Sequence, residues 1–514
     1  MSEDHFLHGT IIVVLMNIFI ELIGFTYDIF LSKLLGAEAL GWFQIAMSTL
    51  MVFVVITVSG IPSSLTKLIA QEQSSGNFYN VEKIYKTTIL INLSLSIILS
   101  TGLIVFSKSI TLRVFKNDNM LVGIYALVPA IILVSLANIL KSYFYGIQDM
   151  ITPSLSQIIE HLSRFIIVIG IIYYFSPMKS ISKAIIGILG ISIGEFFGLI
   201  WSIYSKKRLK IGQVHNRNRK WSYKYSFTKV LFSSIPLTIS RVFSVVLNFI
   251  NTILIPSRLI YAGYTSSLAI SSFGRITGMA MPLIHLPFVV TSGLVINLIP
   301  NLSKKLSLNR QNHIKNHINL AIKATLLVSI PLTILYILLA EPLALFLYDD
   351  LIVAEFIRIM GYSTTLLALQ HTLSGVLFGL NKQVHTTINR MISMSLRVLL
   401  IYVLVGNPKF EIYGFFIAFF ITNLLTLILD IFIMKSTIKL NMDYIDIIVK
   451  PFVASIFMIG YIKMSTYNLK ILRSIGASSF FFTIGIGFFI YIFVLILMKA
   501  IPEDFFKRIF RSDI

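Results

Sequence analysis

The 514-residue chain reads as an all-α polytopic membrane protein of about fourteen transmembrane helices, and three observations predict this. Hydrophobic residues make up 56% of it and charged residues only 13%, whereas an ordinary soluble protein carries about 25% charge. The mean hydropathy is +0.85. Apolar runs about 20 residues long, the length that crosses a bilayer as a helix, follow one another along the whole chain. The net charge of +21 gathers in short connections beside these runs, as the positive-inside rule expects. That placement argues against a nucleic-acid partner. With no cysteine in the chain, neither a disulfide framework nor a thiolate metal site enters the argument.

The start, MSEDHFLH, is polar and acidic, and no small-residue cleavage site follows, so Met1–His8 is expected to be a short cytoplasmic tail. The apolar cores fall at 10–34, 40–61, 87–107, 121–144, 154–176, 184–204, 227–254, 266–297, 318–340, 353–378, 385–406, 411–434, 447–463 and 476–499. With the amino terminus inside, the sixth connection, KKRLKIGQVHNRNRKWSYK, is cytoplasmic and carries Lys206, Lys207, Arg208, Lys210, Arg217, Arg219, Lys220 and Lys224. The eighth adds Lys304, Lys305, Arg310 and Lys315, while the ninth, on the opposite side, holds Glu341, Asp349 and Asp350. An even count returns the short amphipathic end, EDFFKRIFRSDI, to the cytoplasm.

A repeat sets the domain boundaries. Gly146 and Gly379, Gln148 and Asn381, Arg164 and Arg397, and Ser59-Gly60 and Ser292-Gly293 each lie 233 residues apart. Two six-span halves entering the membrane in the same orientation predict a pseudo-two-fold axis along the membrane normal, as in parallel-repeat transporters. The expected division is a lobe at 1–205, a basic linker at 206–226, a second lobe at 227–434, and two added spans with a tail at 435–514. This geometry favours alternating access around a central cavity. A duplicated scaffold that does not transport is the plainer alternative.

Ionisable residues inside spans cost ~2.5–3.5 kcal/mol each on insertion scales and usually face a bundle interior or a watery cavity. Glu21 and Asp28 in span 1 are seven apart and share one helix face. Glu160 and Arg164 in span 5 have the i,i+4 spacing of an internal pair, and Arg397 is the repeat counterpart of Arg164. Glu195, Arg358 and Asp430 read as lying nearer span ends, where snorkelling covers the cost, and Lys33 and Arg258 as interfacial. Arg241 and Arg275 open the second half. Each offers the planar donor fork that suits a phosphate, or answers Glu21 or Asp28 as an ion pair. Gly60 and Pro62 in span 2, and Pro282 and Pro287 in span 8, are candidate gating hinges. No glycine-rich loop ending in Gly-Lys-Ser/Thr is present, His285 stands without a metal-ligand set, and no catalytic constellation is found. The chain is therefore expected to be neither an enzyme nor an ATP-driven pump.

The blocks FLHGTIIVVLMNIFIELIGFTYDIFLSKLLGAEALGWFQIAMSTL, VSGIPSSLTKLIA, SIPLTISR, LIPSRL, FGRITGMAMPL and LSGVLFGLNK resemble the stage V sporulation protein B group of bacterial polysaccharide exporters. That group is related to the lipid II flippases and, more distantly, to multidrug and toxic-compound extrusion (MATE) transporters. The resemblance spans the chain. It implies a multi-pass protein of the bacterial cytoplasmic membrane, with twelve core helices in two lobes plus two more. It also implies movement of an undecaprenyl-pyrophosphate-linked glycan, peptidoglycan precursor or polysaccharide unit, across the bilayer, with Arg241 and Arg275 at the family's diphosphate-contacting arginine positions. Partners implied are the lipid-linked glycan, the bilayer and the cell-envelope synthesis machinery, and the protein is expected to be a monomer. The first span departs from the family, which typically has arginine at Glu21 and at Lys33 and a basic or neutral residue near Asp28. Acids there suit proton or sodium coupling, with no other cofactor. The competing reading is a cation-coupled exporter of drugs or other small molecules.

Overall fold

The computed structural model describes residues 3–208, 221–307, 311–438, 445–467 and 477–500. Lys210, Arg217, Arg219, Lys220, Arg310 and the carboxyl-terminal stretch 503–514 lie outside them. Among the described residues the regular structure is helical, with no strand. Ten helical segments are long and apolar enough to cross a membrane, and twelve if each of two bent pairs counts as one span. The expectation of fourteen further requires Met16–Ser74, 59 residues long, to cross twice, and the shorter apolar helix Phe482–Leu497 to cross once.

One compact unit comprises 1–279 and 394–418. It contains α1 (Glu3–Val58), α2 (Gly60–Ser74), α3 (Phe78–Ile110), α4 (Leu121–Gly146), α5 (Ile151–Tyr174), α6 (Ser180–Arg208), α7 (Tyr223–Tyr261) and α8 (Ser266–Gly274). Helix α1 is broken at Gly36, whose φ of 75° belongs to the left-handed region that glycine enters without a Cβ penalty. The chain turns there and the helix resumes. Helices α5 and α6 approach closely because Gly190, Gly194 and Gly198 form a small-residue stripe. A Cβ on Gly194 would lie 2.9 Å from the Glu160 carbonyl, and one on Gly198 3.1 Å from the Ser156 carbonyl. Such stripes let membrane helices pack backbone to backbone.

The other unit comprises 280–393 and 419–514. It contains α9 (Met281–Ile284), α10 (Pro287–Ser307), α11 (Gln311–Leu338), α12 (Ala340–Tyr348), α13 (Ile352–Gly361) and α14 (Thr364–Gly379), the first half of α15 (Gln383–Leu404), most of α16 (Glu411–Thr437), and α17 (Lys450–Tyr467) and α18 (Ala477–Leu497). Helix α17 is tied to α11 through Asp446, which meets Lys323 and accepts from Lys450 at 2.7 Å. The Tyr491 hydroxyl of α18 donates to the Leu327 carbonyl at 2.7 Å.

The 233-residue offset extends through the packing of both units. Gln148 and Asn381 both have left-handed backbone, as do Lys116 and Asp349. Gly146 packs on Ile69 as Gly379 packs on Leu302. The two apolar cores hold corresponding pairs: Leu65 and Leu298, Val81 and Ile314, Tyr85 and Ile318, Leu140 and Leu373, Phe144 and Leu377. Each pair is 233 residues apart, so the duplicated sequence specifies duplicated interiors.

Candidate functional site

Three helices of the first unit bring four charges together away from water. Lys141 projects from α4, Glu160 and Arg164 from α5, and Glu195 from α6. Lys141 Nζ donates to Glu160 Oε2 at 2.9 Å and lies 3.7 Å from Glu195 Oε2. Arg164 donates to Glu160 Oε1 at 2.6 Å. Glu160, Glu195 and Lys141 are each only 6–7% exposed. An unpaired charge at such a place is costly, and two cations against two anions remove most of that cost. The glycine stripe of α6 makes the cluster possible, since without it Glu195 could not come this close to α5.

The i,i+4 pairing of Glu160 with Arg164 follows the sequence spacing. Glu195 does not: it is buried inside the unit rather than snorkelling at a span end, because the stripe turns its face of α6 inward. Lys141 is the member that sequence reading passes over. It lies within the apolar run 121–144, so the test that singled out the other intramembrane charges applies to it equally. Arg397, half-buried on α15, is not among the partners of Glu160 or Arg164.

The span-1 acids stand beside this cluster. Asp28 and Glu21 are both exposed on α1, as their seven-residue spacing requires of one shared face. The guanidinium that acts electrostatically on Asp28 is that of Arg164. One turn earlier, Gly24 faces the His161 ring of α5, and Phe165 packs against Tyr27 and Phe30 with ring centroids 6.3 and 5.5 Å away. Glu21 makes no hydrogen bond or ion pair with a described residue.

Arg241 is exposed on α7, within the apolar stretch Leu237–Tyr261, and has no hydrogen bond or ion pair to a described residue. Arg275 is half-buried and opens the π-helical turn Arg275–Ala280 that follows α8. The candidate hinges all sit at helix breaks. Gly60 and Pro62 begin α2 just after Ser59 leaves helical geometry, and Gly60 also packs directly against Ser234 and Thr238 of α7. Pro282 and Pro287 flank the break at 285–286, which separates the halves of one of the two bent pairs.

The other unit holds a second buried acid on the corresponding helices. Asp430 of α16 is fully buried, not at a snorkelling position, because it faces α14 and α15. Asn389 Nδ2 donates to its Oδ1 at 2.9 Å, and the Ser374 hydroxyl lies 3.5 Å from Oδ2.

A family model described as polysaccharide biosynthesis protein matches residues 6–306, and one described as MatE matches 236–403. Stage V sporulation protein B of Bacillus subtilis (strain 168) is 24% identical, over 99% of this chain and 98% of its own. Lipid II flippase MurJ of the same organism is 22% identical, over 77% of this chain and 76% of its own. The solved structure of lipid II flippase MurJ in an inward closed conformation superposes with a TM-score of 0.68. It is 17% identical, over 95% of this chain and 99% of that one. The match over residues 6–306 takes in more than half of the sequence, and the chain belongs to the polysaccharide biosynthesis protein family.

Proposed function

We propose that the protein is a flippase that carries an undecaprenyl-pyrophosphate-linked glycan across the bacterial cytoplasmic membrane by alternating access of two six-span lobes, 1–205 and 227–434. The observation that carries the reading is Arg241, an exposed guanidinium in an apolar segment with no partner among the described residues. An intramembrane charge without an internal partner marks a ligand path, and the guanidinium fork matches the oxygens of a diphosphate. Arg275 is its companion. The relatives support the class of cargo, since one is named a lipid II flippase. In this reading the protein is a monomer with both termini in the cytoplasm, working beside the envelope synthesis machinery. Gly60, Pro62, Pro282 and Pro287 give the bends that opening needs.

The test is flipping of a fluorescent undecaprenyl-pyrophosphate glycan in reconstituted vesicles. Arg241→Ala and Arg275→Ala each abolish it, and normal flipping in both variants would sink the diphosphate role. A second reading, cation-coupled export of small molecules, is favoured by the two exposed acids of α1. Under either cargo, Glu21→Gln removes the response of transport to an imposed proton or sodium gradient. An unchanged response rejects Glu21 as the coupling site.

A further inference from the structure

One end of the first unit carries cations that no carboxylate answers. Between Glu195 and Glu341 the sequence contains no acidic residue, and the basic connection falls inside this stretch. Just before α7, the Trp221 backbone N–H donates to Asn80 Oδ1 of α3 at 3.0 Å, which seats the start of α7 beside the start of α3. Two lysines there rest on rings instead of on acids. Lys83 Nζ lies 4.3 Å from the centroid of the Tyr223 ring and 5.4 Å from that of Tyr79. Lys229 Nζ lies 4.4 Å from the Trp221 ring and 5.5 Å from that of Tyr225. Neither forms an ion pair with a described residue. Lys206, at the end of α6, gives the contrast, since it donates to Glu82 at 3.2 Å.

We propose that Lys83 and Lys229, held by the rings of Tyr223 and Trp221, form a binding site for the headgroup of an anionic phospholipid in the adjoining leaflet. A ring face attracts an ammonium without cancelling its charge, so both lysines are positioned and still available to a phosphate. Lys207, Arg208 and Lys224, all exposed, add to the field, and basic clusters beside a span attract anionic lipid headgroups. The surroundings suit a lipid better than a soluble anion. Tyr79, Tyr223 and Tyr225 are exposed at the starts of α3 and α7, and such rings collect at the headgroup level of a bilayer. Tyr225 and Phe232, both exposed, are seven apart and share one face of α7, which extends the apolar surface on which acyl chains can lie. Glu82, the acid next to Lys83, is already held by Lys206. A zwitterionic headgroup therefore finds no counterpart for its own ammonium.

The inference concerns a resident lipid and not the cargo, so it succeeds or fails separately from the flippase reading. The experiment is native mass spectrometry of the purified full chain in detergent, titrated with phosphatidylglycerol or with phosphatidylcholine of the same chain length. A saturable phosphatidylglycerol adduct is expected, with phosphatidylcholine bound at least ~10-fold more weakly. Lys83→Gln combined with Lys229→Gln weakens the phosphatidylglycerol adduct ~10-fold or more. Lys83→Arg combined with Lys229→Arg keeps both the charge and the stacking, and it retains the lipid. Should the glutamine pair fail to fold, Lys229→Gln alone must still weaken the adduct several-fold. Lys179→Gln combined with Lys409→Gln removes two exposed cations elsewhere and leaves the adduct in place. An equal loss in that control, equal binding of the two lipids, or displacement of the lipid by millimolar inorganic phosphate overturns the assignment.

Discussion

The α4–α5–α6 cluster and the α14–α15–α16 site occupy corresponding helices, yet they handle buried charge in opposite ways. In the first, Lys141 and Arg164 neutralise Glu160 and Glu195 through direct contacts of 2.6–3.7 Å. In the second, a single acid sits between an amide and a hydroxyl. The two frames share the left-handed residues Gln148 and Asn381, but the counterpart of the continuous α4 is the bent pair α13 and α14, so backbone and side chains both differ. A duplicated unit can therefore keep corresponding apolar cores while one copy neutralises its buried acids with its own cations and the other holds its acid with neutral donors.

The harshest way to break the comparison is Lys141→Met. It strands Glu160 and Glu195 without their shared ammonium, and breaking a buried pair costs about 3–5 kcal/mol. The unfolding midpoint should fall sharply, with partial recovery when Glu195→Gln is added. If the midpoint barely moves, Lys141 does not hold the cluster. Next comes Gly194→Ala, whose Cβ would press on the Glu160 carbonyl. Overpacking of this kind costs about 1–3 kcal/mol, and the same unfolding assay reads it. Asp430→Asn sharpens the contrast from the other side. It leaves the midpoint unchanged or slightly higher, because it removes a buried charge whose buried partners, Asn389 and Ser374, are neutral. The smallest effect on stability belongs to Arg241→Ala, which leaves the midpoint in place while flipping is lost. A large loss of stability there would give Arg241 a structural duty instead.

Much of this was legible in the chain. Apolar runs of spanning length announce the helical membrane fold, and motifs such as SIPLTISR and FGRITGMAMPL announce the family. The Glu160–Arg164 pair followed from i,i+4 spacing, and the repeat from shared offsets. Glu195 and Asp430 were misplaced for one reason: distance from a span end says nothing about which way a helix face turns. Lys141 was legible in principle, as an ionisable residue within an apolar run. The stripe Gly190, Gly194, Gly198 was also visible at four-residue spacing, and it marks the face of α6 that packs on α5.

The amino-acid sequence by itself determined the class of solvent, the helical content, the duplication and the family, because each depends on composition or on spacing along one chain. Tertiary structure alone decided which charges meet. Lys141, Glu160 and Glu195 come from three different helices, and their contact depends on the rotation and separation of those helices. The Gly194 backbone against the Glu160 carbonyl sets both. The same packing decides that Asp430 is enclosed with Asn389 and Ser374 while Arg241 stays exposed, since burial belongs to the neighbours a side chain acquires only when the helices assemble.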